Sequence, residues 1–161
     1  MSQIKNRRIL NLILLFSIVA IITAYIIQYV FGHQPCNLCL IERIPYIFSI
    51  IITSVCLFYN KFEKITLIIL SLTFLTATLL SFYHFGIEQG FIKESFVCDL
   101  KNPSNALSRE ELLNQLKEMP ISCKDVTFKI FGLSLATFNI FISIILSAIT
   151  IKIFLNYEKN K

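Results

Sequence analysis

Long apolar runs constrain this chain more than anything else in it. Ile9 to Phe31, Ile65 to Phe85 and Ile130 to Leu155 are each dominated by Ile, Leu, Phe and Val. A hydrocarbon core about 30 Å thick needs roughly 20 such residues in a helix. A fourth run, Ile44 to Tyr59, is shorter. Counting back to Leu40 makes it about a full span, with Glu42 and Arg43 at its end, where long side chains snorkel to the interface. Composition agrees: the 161 residues are 55% hydrophobic and 16% charged, which is too apolar for a soluble domain. The expected fold is an all-α membrane protein, a four-transmembrane-helix bundle. Its spans fall at about 9–31, 41–59, 65–85 and 130–155, with loops 32–40 and 86–129, in one integral membrane domain covering 1–161. No repeat, low-complexity segment or second domain interrupts this plan.

The first run follows Lys5, Arg7 and Arg8, as a signal peptide would. It is longer than an h-region and no small-x-small cleavage site follows, so it is expected to stay as an anchor. Basic residues set the orientation. Lys5, Arg7 and Arg8 precede the first span, Lys61 and Lys64 lie in the turn "NKFEK", and Lys152, Lys159 and Lys161 close the last span. Both termini and that turn are therefore expected to be cytoplasmic, and the other two loops to face a compartment that permits disulfides. The same distribution accounts for the net charge of +5 without nucleic acid, since only Glu63 and Glu158 oppose those bases.

Five cysteines lie at 36, 39, 56, 98 and 123. Cys56 sits mid-span among Ile, Val, Leu and Phe, where a thiol serves as a small hydrophobe. The other four face outward and divide by position into Cys36 with Cys39 and Cys98 with Cys123. The stretch "PCNLC" is a C-x-x-C at a membrane rim just before a helix, where peptide N–H groups stabilise a thiolate, here expected at Cys39. Were the helix to include 39–43, Arg43 would lie one turn on from Cys39 and lower its pKa, or stabilise negative charge on a bound electron acceptor. Pro45 lacks an N–H and belongs in a first turn, so the regular helix is expected to start near Ile41 to Ile44 or bend there.

The second pair brackets "LSREELLNQLKEM", which reads as a short amphipathic helix on the membrane surface. Ser108 caps it with Glu111, Leu107 staples to Leu112, and Leu112, Leu113, Leu116 and Met119 share a face before Pro120 ends it. At the end of the third span, "SFYHFGIEQG" places His84, Glu88 and Gln89 near the outer interface. An ionisable residue there invites a functional reading for His84, as a hydrogen-bond donor to a ligand carbonyl or a proton relay. His33 and Glu42 read as ordinary loop and interfacial polarity.

Together, "PCNLCLIER" after the first span, "CD" after the third, a second cysteine about 25 residues later and "FGLSLATFN" opening the fourth resemble the DsbB family. Its members regenerate the periplasmic disulfide donor DsbA in the bacterial inner membrane. The resemblance covers nearly the whole chain, and "C-x-L-C-x-x-E-R" is its most specific part. It implies a quinone-dependent protein-dithiol oxidase with redox-active loops in the periplasm and a DsbA-like thioredoxin-fold partner. Cys98 would form the mixed disulfide with that partner, and Cys123 would attack Cys36. Cys39 would pass electrons to ubiquinone or menaquinone, beside which Arg43 would lie; His84 joins them as a candidate quinone contact on its position at a membrane helix end, not on the resemblance.

Three other readings compete. Cys36, Cys39, Cys98 and Cys123 could form a four-cysteine zinc site, although only the first pair has zinc-like spacing. Two structural disulfides would suit a membrane subunit, but a Cys36–Cys39 bond closes too small a loop to add much stability. Vitamin K epoxide reductase-like enzymes share the four-helix plan and quinone chemistry. Their C-x-x-C sits on the last helix of the bundle, whereas here it follows the first.

Overall fold

The computed structural model describes residues 2–59, 63–93, 98, 122–124, 129–130 and 132–159. In chain order these form α1 (Ser2–Tyr29), α2 (Asn37–Ile41), α3 (Ile44–Tyr59), α4 (Glu63–Glu88), β1 (Lys129–Ile130), β2 (Leu133–Ser134) and α5 (Leu135–Lys159). Four segments are long and apolar enough to cross a bilayer: Arg7–Tyr29, Asn37–Tyr59, Glu63–Glu88 and Leu135–Asn156. The four-span bundle expected from the apolar runs is therefore present. The amphipathic helix expected around Ser108 to Met119 lies outside the described residues.

Span ends differ from the sequence expectation where local chemistry overrides hydropathy. The fourth span starts at Leu135, not 130. Before it, Lys129 pairs with Ser134 and Ile130 with Leu133, antiparallel. Gly132 at φ +82° makes that turn at no steric cost. Ser134 then starts α5 as an N-cap, its Oγ accepting from the Thr137 N–H at 3.2 Å. The third span runs past Phe85 to Glu88, so 86–88 are helix rather than loop. It ends where Gly90 takes φ +76° and donates to the Ile87 carbonyl at 3.0 Å. In the first span, regular helix stops at Tyr29, short of Phe31. The second span bends between α2 and α3, as Pro45 requires in the first turn of α3.

The helices meet through small and hydroxyl side chains. Buried positions on α1 are Leu10, Ile13, Ser17 and Ile27, and on α5 Ala136, Ser143, Leu146, Ser147, Thr150 and Ile153, spacings that keep one stripe inward. Ser17 and Ser49 share a hydrogen bond at 3.1 Å between α1 and α3. Large apolar residues also point outward, including Leu12, Leu79, Phe82 and Phe141, each at least 60% exposed. A bundle that sets buried Ser, Thr and Ala among its core Leu and Ile and still presents many Leu and Phe outward suits lipid, where close helix approach and interhelical hydrogen bonds hold helices together. Cys56 is 3% exposed in the main core with Leu67, Leu70 and Phe74, as expected of an inert thiol. α4 and α5 pack along most of their length and α1 packs on α3, whereas α1 and α5 touch little. That seam leads to the site.

Candidate functional site

Five-residue α2 opens on Cys36, which caps it: the Cys39 N–H donates to Cys36 Sγ at 3.3 Å. The two sulfurs lie 2.8 Å apart. From α4, His84 brings Nε2 to 3.6 Å from Cys36 Sγ. The donation from the Cys39 thiol does most to hold the Cys36 thiol far below its usual value, at about 4. Burial opposes that shift, and the hydrogen bond and charge of His84 reinforce it. The favoured thiolate is therefore on Cys36 rather than on Cys39. The reason is local: the Cys39 thiol, the imidazole and the Cys39 peptide N–H all aim at Cys36.

Arg43 is placed differently from the helical spacing. With α2 ended at Ile41, Arg43 sits in the turn before α3, its Nη1 donating to Gln28 Oε1 at 2.7 Å and its guanidinium 5.2 Å from the centre of the Tyr25 ring. α1 thus fixes this cation. It still borders the same space as Cys39: both line a cavity of about 380 Å³, walled on one side by apolar α1 residues such as Val19, Ala24 and Ile27. His84, Glu88, Asn139 and Cys123 line it too.

Behind the thiols runs a polar network within the membrane segments. His84 Nδ1 meets Glu42 Oε1 at 2.9 Å, and Asn139 Nδ2 donates to Glu42 Oε2 at 3.0 Å and to Ser81 Oγ at 2.7 Å. Tyr46 donates its hydroxyl to Asn139 Oδ1, and Ser134 donates to Glu88. Each of these polar groups is answered by a group from another segment of the chain, as a low-dielectric interior demands. Sequence reasoning took Glu42 for interfacial charge and gave no role to Asn139 or Gln28. The signal was available, since polar residues on otherwise apolar spans are costly unless partnered.

Cys98 and Cys123 are joined in a disulfide. Both are buried with Cys36, Leu38 and Ile87, so the two cysteine pairs share one cluster at one end of the bundle. The disulfide withdraws two of the four thiolates that a Cys36/Cys39/Cys98/Cys123 zinc site would need. What the arrangement can do is thiol–disulfide exchange: one oxidised and one reduced pair packed together, with a stabilised thiolate between them.

The sequence profile of the family "Disulfide bond formation protein DsbB" matches residues 6–153. "Uncharacterized protein RP370" of Rickettsia prowazekii (strain Madrid E) is 37% identical over 147 residues, covering 88% of this chain and 85% of that protein. No solved structure gives a significant match. The match spans all four membrane helices and both cysteine pairs and decides against the vitamin K epoxide reductase-like alternative. This chain, a multi-pass membrane protein whose family makes disulfide bonds, belongs to the DsbB family.

Proposed function

We propose that the chain is a membrane thiol:quinone oxidoreductase that reoxidises a DsbA-like thioredoxin-fold partner. The observation that carries this reading is the common burial of both cysteine pairs beside a cavity that also holds Arg43 and His84. By the basic-residue distribution, the termini are cytoplasmic and the cysteine end faces the periplasm of a bacterial inner membrane.

Thiolate exchange accounts for the transfer of oxidising equivalents. A reduced partner's thiolate attacks Cys98 and forms a mixed disulfide, expelling the Cys123 thiolate. Cys123 attacks Cys36 and expels Cys39. The partner's second thiolate then displaces Cys98 and leaves oxidised. Cys98 closes again on Cys123, expelling Cys36. Two electrons and two protons have by then passed from the partner to the Cys36/Cys39 pair. A leaving thiol held at about 4 favours that last expulsion.

The cavity suits a quinone head group: its volume of about 380 Å³ falls in the range of small-molecule sites, its α1 wall is apolar, and Arg43 offers a fixed cation. A bound ubiquinone or menaquinone supplies a lipid-soluble acceptor for two electrons and two protons. Arg43 is available to hold a carbonyl oxygen, while His84, set between Cys36 and Glu42, is placed to relay a proton between the thiol pair and the acceptor. The test is trapping. A chain with its own cysteines intact, mixed with a reduced thioredoxin-fold donor that keeps only its attacking cysteine, should expel Cys123 and accumulate a mixed disulfide through Cys98, seen on a non-reducing gel. Adduct formation in a Cys98→Ala chain instead would overturn the assigned order.

A further inference from the structure

We propose that the reduced Cys36/Cys39 pair and His84 form a binding site for a borderline-soft divalent cation, Zn²⁺ above all, open only when the pair is reduced. Cys36 Sγ, Cys39 Sγ and a ring nitrogen of His84 all lie within 4.8 Å of one another. A tetrahedral Zn²⁺ with Zn–S of about 2.3 Å and Zn–N of about 2.0–2.1 Å separates a sulfur and a nitrogen ligand by about 3.6 Å. Cys36 Sγ and His84 Nε2 stand 3.6 Å apart. The sulfurs, now at 2.8 Å, need to open to about 3.8 Å, a change within reach of a small side-chain rotation.

Two features beyond the triad favour a metal. Histidine ligands donate their second ring N–H to a carboxylate, which fixes the tautomer that leaves the first nitrogen free. Here Glu42 Oε1 faces His84 Nδ1 at 2.9 Å, leaving Nε2 toward the sulfurs. A fourth ligand is also at hand, since Glu88 Oε1 lies 3.7 Å from the same Nε2. Two thiolates, an imidazole and a carboxylate suit zinc better than hard cations such as Mg²⁺. This set differs from a four-cysteine site: it uses neither Cys98 nor Cys123. Closing the Cys36–Cys39 disulfide removes both sulfur ligands and releases the ion, and a bound ion in turn keeps the pair from being oxidised.

The site needs only the reduced pair and His84, so it stands or falls separately from the quinone reaction. The test is Co²⁺ titration of the full chain in detergent, with Cys98→Ala and Cys123→Ala removing the loop thiols and with the Cys36/Cys39 pair reduced. One Co²⁺ per chain should bind with sulfur charge-transfer and tetrahedral visible bands, and Zn²⁺ should displace it. The bands should vanish on oxidising the pair and in His84→Ala, and persist in His84→Cys with added sulfur intensity. Glu42→Gln should weaken binding by roughly 10–100-fold. No tetrahedral band in the reduced chain, or bands indifferent to oxidation or to His84→Ala, would overturn the proposal.

Discussion

Cys36 and Cys39 are chemically alike in sequence and unlike in place: Cys36 accepts from the Cys39 thiol, a peptide N–H and an imidazole, whereas Cys39 keeps its proton and donates a hydrogen bond to its neighbour. The thiolate of reduced Cys36 is therefore expected to persist from neutral pH downward and to be lost as the pH falls through about 4. Ultraviolet thiolate absorbance of the reduced chain against Cys36→Ala reads this directly, and titration near the ordinary ~8.5 would contradict it. Arg43→Lys keeps charge but loses the fork that reaches Gln28, so the quinone KM should rise roughly tenfold, about one charge-assisted hydrogen bond. Steady-state kinetics with a short-chain quinone measure this. Cys56→Ala should cost about 1–2 kcal/mol of stability and leave quinone-dependent thiol oxidation intact, because that thiol only fills core space. Residue type and position singled out Cys36, Cys39, Cys98, Cys123 and His84 as candidates, and the bundle brings them close together. The partners of His84 were not legible in this way, because Glu42 is 42 residues away in sequence and meets it only when α2 and α4 pack.

At the scale of elements, hydropathy located every span, and backbone chemistry moved their ends. Gly90 and Gly132 at positive φ, together with Ser134 as a cap, set boundaries that an apolar count cannot see. Pro45 was readable, and its bend turns Arg43 away from Cys39 toward Tyr25 and Gln28. Helix pairing was less legible, because small residues that look unremarkable in a run become the contact surface. Ser49→Leu should therefore drive α1 from α3 at a cost of about 1–3 kcal/mol, seen as a lower thermal midpoint in detergent. Replacing both Ser17 and Ser49 with Ala should be close to neutral, since both hydrogen-bond partners leave together. A large loss in the double variant would show that the hydroxyl bond, not close approach, holds that pair.

The whole molecule couples two requirements that one helix could not meet. Thiol exchange needs a pair reachable by a protein partner, and the proposed acceptor reaction needs a pair at the bilayer edge. Both cysteine pairs lie at one end of a bundle whose α1 and α5 leave a seam, and the cavity sits there. The bundle itself was readable from four apolar runs, and the family from a motif at one of their rims. The cavity was not, because it is assembled from all five helices, from Glu42 and Arg43 in the turn between α2 and α3, and from Cys123, which no stretch of sequence sets side by side. The central claim is tested most directly by incubating the purified chain in lipid nanodiscs with a reduced thioredoxin-fold donor and a quinone. Donor thiols and quinol are then counted together. Two thiols should be lost for each quinol formed, and both processes should stop in Cys39→Ala and in Cys98→Ala. Full thiol oxidation by the Cys39→Ala chain, or oxidation without matching quinol, would contradict the account.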